Sequence, residues 1–260
     1  MNMDTHFNIA RRAVMVMAML AIASVAGFAQ SEPDFDAILG NIDDIGNFED
    51  QDFAAIYTIV AERPGDERSV TQAQVFRRDR TDQFVILIMQ PSTERGQGYI
   101  QTEENVWFYD PNSRRFERTT IRDEIQDSDA QNADFDASNY GEDYEVANWT
   151  EGQLGSYEVY VFDLQATTDD VSYENVRLWI LKEPNIVLKQ EDYSVNGRLL
   201  RTTVYRNYSR VGGNLVPTEI IIQDEITEGE RSLVTMTEPR AGNLNDRIFT
   251  RAFLEQAARQ

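Results

Sequence analysis

From Tyr157 to Glu238 the chain reads as strand after strand, with no helical segment between them. Six alternating runs, 157–167, 173–182, 186–195, 199–210, 215–224 and 231–238, follow one another with turn residues at each joint. The joints are Glu183-Pro184-Asn185, Asn196-Gly197, Gly212-Gly213-Asn214 and Glu228-Gly229. Asn-Gly between two alternating runs is a strong hairpin signal, because both positions of such a turn need positive φ. A parallel sheet needs a long crossover between successive strands. None is available here, so the sheet is antiparallel.

The first half continues the pattern. Phe53, Ala55, Tyr57 and Ile59 alternate with Asp52, Ala54, Ile56 and Thr58, a Pro64-Gly65-Asp66 turn follows, and 70–79 and 82–90 read as the next two strands. The run Phe84 to Met89 is apolar at every position, which predicts cover on both of its faces. A meander comes next, with strands at 98–102, 105–109 and 115–119 joined by a Glu-Glu-Asn and an Asp-Pro-Asn-Ser turn. Residues 121–148, rich in Asp, Asn, Ser and Ala, lack alternation and are read as short helical turns forming a lid. Phe35, Ile38, Leu39, Ile42 and Ile45 recur at spacings of three and four, so 34–47 is an amphipathic helix opened by Pro33 and Asp34. A short helix over 246–259 closes the chain, with Ile248, Phe249, Phe253 and Leu254 as its apolar side.

The expected fold is therefore mainly β (α+β), a single antiparallel sheet of about ten or eleven strands. A sheet of that width must curl, and so few helices can fill only its concave side. The economical arrangement is an incomplete half-barrel, with the N-terminal helix and the lid over the concave face. Its interior is an apolar cavity suited to apolar ligands. Candidate wall residues are Ile86, Ile88, Tyr99, Trp107, Tyr109, Phe116, Leu178 and Ile180. Alternation puts Trp107 and Tyr109 on one face and Val106 and Phe108 on the other, without saying which face is concave.

Arg11 and Arg12 precede an apolar run from Ala13 to Val25, and Gly27-Phe28-Ala29 ends in small residues. That is the pattern of a signal peptide spanning 1–29, cleaved after Ala29, ahead of a single domain at 30–260. The run is shorter than the roughly 20 residues that cross a bilayer. The one His, His6, lies inside the leader and the chain has no Cys. An exported chain without either excludes Ser-His-Asp and Cys-His catalysis, disulfides and His- or Cys-based metal sites. The whole chain carries a net charge of −21; the leader takes two Arg and one Asp with it, leaving −22. Such a surface repels nucleic acid and anionic headgroups. Asp127-Ser128-Asp129 offers alternating oxygens but lacks the Gly and Glu of a calcium loop, so no metal or other cofactor is expected.

The phrase Trp107-Phe108-Tyr109-Asp110-Pro111, following a strand that ends in Met89-Gln90-Pro91, resembles the outer-membrane lipoprotein-sorting proteins, the LolA-like and LolB-like periplasmic carriers. Arg95-Gly96-Gln97-Gly98-Tyr99-Ile100 is similar to an element of a related branch, and Ser128-Asp129 with Asp134-Phe135 to another. The resemblance implies a half-barrel that holds the acyl chains of lipoproteins or lipids, in a monomeric, non-enzymatic periplasmic carrier. It also implies an Arg that hydrogen-bonds the lid and holds it closed, here Arg78 or Arg80. A membrane transporter or an outer-membrane acceptor is the implied protein partner. The alternatives are a lipid- or protein-sensing module of the same fold that regulates a membrane partner, and a carboxylate-dependent hydrolase.

Overall fold

The structure is a computed structural model, and it describes residues 32–102, 105–169 and 171–259. The chain divides into Met1–Pro33 and a body from Asp34 to Gln260. The apolar run at 13–25 and the cleavage point after Ala29 lie outside the described residues. Among the described residues no helix is long and apolar enough to cross a membrane.

The body is one curved antiparallel sheet of thirteen strands among the described residues. In chain order these are β1 (Asp52–Glu62), β2 (Ser69–Arg78), β3 (Gln83–Gln90), β4 (Gly98–Thr102), β5 (Asn105–Asp110), β6 (Arg115–Thr119), β7 (Tyr144–Leu154), β8 (Tyr157–Ala166), β9 (Asn175–Leu181), β10 (Val187–Tyr193), β11 (Leu199–Val211), β12 (Asn214–Asp224) and β13 (Arg231–Gly242). β1 to β6 step outward to one edge, β7 to β13 step back from the other, and β1 pairs with β13 in the middle. The sheet is not closed: β6 and β7 are its two edges, yet they are consecutive in the chain. The link between them must therefore pass from one free edge to the other, and it does so across the inner face.

Thirteen strands stand against the ten or eleven expected; twelve of them coincide with the runs read from sequence, which that total undercounted, and the thirteenth is β7. Tyr144 to Asn148, read from sequence as part of the lid, opens β7. β7 pairs only with β8, and much of it is exposed on both sides. An edge strand wetted on both faces carries no strict apolar alternation, so Glu145, Asn148, Glu151 and Gln153 hide it.

Helix α1 (Phe35–Gly46) is capped by the Asp34 carboxylate, which accepts from the Ala37 N–H at 3.1 Å. Its buried Ile38, Leu39 and Ile42 pack on Phe162 and Leu164 of β8, Val176, Leu178 and Ile180 of β9, and Val187 of β10. A second core on the same inner face joins Phe53, Tyr57, Val75, Ile86, Ile88 and Ile222 to Ile125, Ala130 and Phe135 of the link. The link itself ends in a four-residue helix, α2 (Tyr140–Asp143). The last helix, α3 (Arg251–Ala257), lies on the outer face against Phe76, Val85, Ile100 and Tyr109. It seats closely because Gly98 has no side chain: a Cβ there would lie 2.8 Å from Leu254 Cδ2. At Gly96, with φ of +86°, a Cβ would meet Ala258 Cα at 2.8 Å. β3 is thus covered on both sides, as its unbroken apolar run predicts.

Candidate functional site

A cavity of about 1020 Å³ lies on the inner face, enclosed by the sheet, α1 and the 120–143 link. Its apolar wall comes from Ile42 and Ile45 of α1, Tyr57 of β1, Val106 of β5, Tyr205 and Tyr208 of β11, Val216 and Ile220 of β12, and Met236 of β13. The link adds Ile121 and Ala133. The period of two selects most of these residues: Val216 and Ile220 share the inner face of β12, as Arg201, Thr203 and Tyr205 share that of β11, while Tyr208, out of phase with Tyr205, follows Asn207, whose φ of +54° interrupts the alternation.

Six of the lining residues are tyrosines, Tyr57, Tyr140, Tyr144, Tyr173, Tyr205 and Tyr208. Their rings supply apolar surface, and the hydroxyls of five of them, Tyr140, Tyr144, Tyr173, Tyr205 and Tyr208, are tied to polar neighbours. Tyr140 donates to Gln190 Oε1 at 2.7 Å and Tyr205 to the same oxygen at 3.2 Å. Tyr144 donates to the Tyr173 carbonyl at 2.9 Å, and Gln131 Nε2 donates to the Tyr173 hydroxyl at 2.9 Å. Burial pushes the Tyr57 phenol up to about 12 and raises Tyr140 and Tyr205 as well, so all three are neutral donors at any ordinary pH.

The link is fastened to the sheet by polar pairs. Asp134 accepts from Arg201 of β11, Asp129 accepts from Ser232 of β13 at 2.6 Å, and Arg122 Nε donates to the Val171 carbonyl at 3.1 Å. Asn47 accepts from the Ser138 N–H at 3.0 Å, and Asp43 from the Tyr140 and Gly141 N–H groups at 3.1 and 2.8 Å. Phe135 meets Tyr57 edge-on with ring centres 5.0 Å apart. Burial opposes the Arg77 charge, but Asp79, 2.6 Å away, outweighs it and keeps the guanidinium protonated. Asp136 of the link also lines the cavity and is half-buried. Burial, reinforced by the nearby Asp82 charge, pushes its carboxyl up to about 7. Among the described residues no three carboxylates are grouped to hold a metal ion.

The expected wall residues separate into three groups. Ile86, Ile88 and Tyr99 lie on the inner face beneath the link, in the core with Ile125 and Phe135. Leu178 and Ile180 lie beneath α1. Both sets floor the plugs and do not line the open volume. Trp107, Tyr109 and Phe116 are on the opposite face, under α3, where Arg251 sits 3.8 Å from the Trp107 ring centre and 5.3 Å from that of Phe116. In β5 it is Val106 that faces the cavity.

Neither Arg expected to hold the lid bonds to the link. Arg78 makes a two-pronged pair with Asp52 at 2.9 and 3.0 Å, reaches Asp246 at 2.8 Å, and stacks on Phe249 at 4.3 Å. Arg80 also reaches Asp52, at 2.7 Å. Arg78 therefore holds the C-terminal segment, while Arg80 reaches only Asp52; both point away from the link. Arg77, one residue earlier and on the inner face, is the cluster's cation at the cavity. Arg201, the partner of Asp134, and the tyrosines of β11 went unmarked in the sequence, although Arg201, Thr203 and Tyr205 alternate with Thr202 and Val204 within a strong strand signal.

Comparison with solved structures places the fold. A LolA superfamily protein from Nitrosomonas europaea is 27% identical, with a TM-score of 0.73 over 84% of this chain and 97% of that one. A protein domain assigned to outer membrane lipoprotein sorting, from Vibrio parahaemolyticus, is 18% identical with a TM-score of 0.73, covering 85% and 97%. A DUF1329 family protein from Desulfovibrio piger is 16% identical with a TM-score of 0.74, covering 84% and 97%. A family model described only as an uncharacterized protein matches residues 80–256. No curated protein matches the sequence.

Proposed function

We infer the function from one premise: the chain belongs to the LolA superfamily, and to the uncharacterised family whose model spans residues 80–256. We propose that it is an exported periplasmic carrier, a binding protein and not an enzyme, which shelters the acyl chains of a lipoprotein or lipid in the inner cavity. The observation that carries this reading is the cavity itself, about 1020 Å³ with Ile, Val, Met and Tyr walls, roofed by a link that crosses the open side of the sheet. Its volume is at the upper end of the roughly 300–1,000 Å³ usual for ligand sites. Each sheltered methylene contributes about 0.8 kcal/mol. Residues 1–29 act as the export signal, and the link serves as the lid through which cargo enters. Arg201–Asp134 and Ser232–Asp129 are the contacts that must part. The net charge of −21 favours a basic protein partner over direct residence on anionic membranes.

Displacement of a fluorescent acyl probe tests the assignment. Met236→Trp narrows the cavity and is expected to weaken probe binding several-fold while the protein stays folded by circular dichroism. Trp107→Leu, on the outer face, is expected to leave binding unchanged. The reverse order would contradict the placement of the site. A protein that takes no acyl probe but forms a stable complex with one membrane protein would favour the sensing module instead.

A further inference from the structure

At one place the cavity lining carries buried polar atoms that have no partner. Arg201 lines it, is only 5% exposed, and stands directly across from Asp192 in the β10–β11 pairing. Its terminal nitrogen is taken by Asp134 of the link, but its Nε–H has no partner. Ser172, also on the lining, has an unpartnered hydroxyl. Behind them Asp192 Oδ2 and Asn132 Oδ1, on wholly buried side chains, are unsatisfied too. Gln131 joins these groups at one place: its Nε2 donates to the hydroxyl of Tyr173, the residue after Ser172, its backbone N–H donates to the same Asp134 oxygen that Arg201 reaches, and its own Oε1 has no partner. Buried polar atoms are nearly always paired, so a cluster of donors and acceptors left open beside a cavity calls for a ligand that supplies both.

The charges narrow the ligand. Arg201 already faces two carboxylates, and Arg122, a second guanidinium on this lining, is occupied by the Val171 carbonyl, so an incoming carboxylate or phosphate would add a third negative group and find neither cation free. A hydroxyl or an amide, by contrast, accepts from one neighbour and donates to another. We propose that this end of the cavity is a subsite for the uncharged hydroxyl- or amide-bearing head of an acyl lipid, held by Arg201 Nε–H, Ser172 Oγ and Gln131 Oε1, all on the lining and without partners. The subsite rests on the carrier reading and adds to it the class of cargo head: neutral and hydrogen-bonding, not anionic.

The test is displacement of an uncharged naphthylamine probe from the leaderless protein at pH 8, by monooleoylglycerol and by oleate. Monooleoylglycerol is expected to compete at roughly a tenth of the oleate concentration, the effect of one or two added hydrogen bonds. In Ser172→Ala the preference is expected to narrow to about threefold or less, with affinity for the probe itself unchanged. Arg201→Met is the second variant, expected to lose the preference altogether. Oleate competing as well as monooleoylglycerol, or a preference untouched by Ser172→Ala, would overturn the subsite and leave the carrier reading standing. Failure of the wild-type protein to take up the probe or either lipid would overturn both.

Discussion

At the residue scale the inner site depends on which of two adjacent side chains points inward. In Arg77-Arg78-Asp79-Arg80 the sequence marks a cationic cluster at the end of a strand, but not its register, and a shift of one residue exchanges the faces. Arg77 therefore faces the cavity and Arg78 the C-terminal segment. The same shift exchanges Val106 for Trp107 in β5. Near Arg77, Asp136 provides a titration with a definite sign. Folded, its carboxyl keeps a proton up to about 7; unfolded, it releases it near the ordinary 3.8. The folded state binds more protons between those values, so the stability this group contributes is complete below about pH 4 and is lost as pH rises through about 7. Asp136→Asn removes that loss. Its melting temperature is expected to match wild type at pH 4 and exceed it by several degrees at pH 8, at about 2–4 °C per kcal/mol, with about 4 kcal/mol as the upper bound. A constant difference between the two proteins across that range would contradict the burial of this carboxyl.

At the element scale two connections do most of the positioning. The 120–143 link was legible as a long segment without alternation between strands, and its role follows from topology, because it joins the two edges of an open sheet. Its far boundary was not legible, because β7 is an edge strand. The C-terminal helix was legible too, but its position was not. α3 takes the outer face over β3 to β6 because Gly96 and Gly98 clear a path for it and because Arg78 ties Asp246 and the Leu244 carbonyl to Asp52. Asp52 has 1% side-chain exposure, and its carboxyl stays below the usual range because Arg78 and the Leu244 N–H outweigh the cost of burial. Removing Arg78 leaves that carboxylate buried with only the half-exposed Arg80. Arg78→Met is expected to cost up to about 3–5 kcal/mol in urea denaturation and to speed hydrogen exchange across 246–257. Arg80→Met is expected to cost under about 1 kcal/mol. Equal costs for the two would contradict the anchoring role of Arg78.

At the scale of the whole molecule, the regular strand spacing and the missing helices were enough to identify an open antiparallel half-barrel, and the Trp107–Pro111 phrase pointed to its superfamily. What strand patterns omit is the curvature's sign and the partner of each face. An aromatic run such as Trp107-Phe108-Tyr109 is equally suited to a cavity wall or to the seat of a helix, and here the helix took it. The lining of the cavity is drawn from ten strands, two helices, the link and the loop before β9, with inward Tyr, Arg and Asp spaced far apart in the chain; only folding brings them together. The account's central claim is that this volume holds acyl chains. Native mass spectrometry with lipid extraction, on protein purified from its own exported compartment, tests it most directly. Acyl lipid or lipoprotein bound at near one-to-one is the predicted result; a clean unliganded mass that also takes up no acyl probe would contradict it.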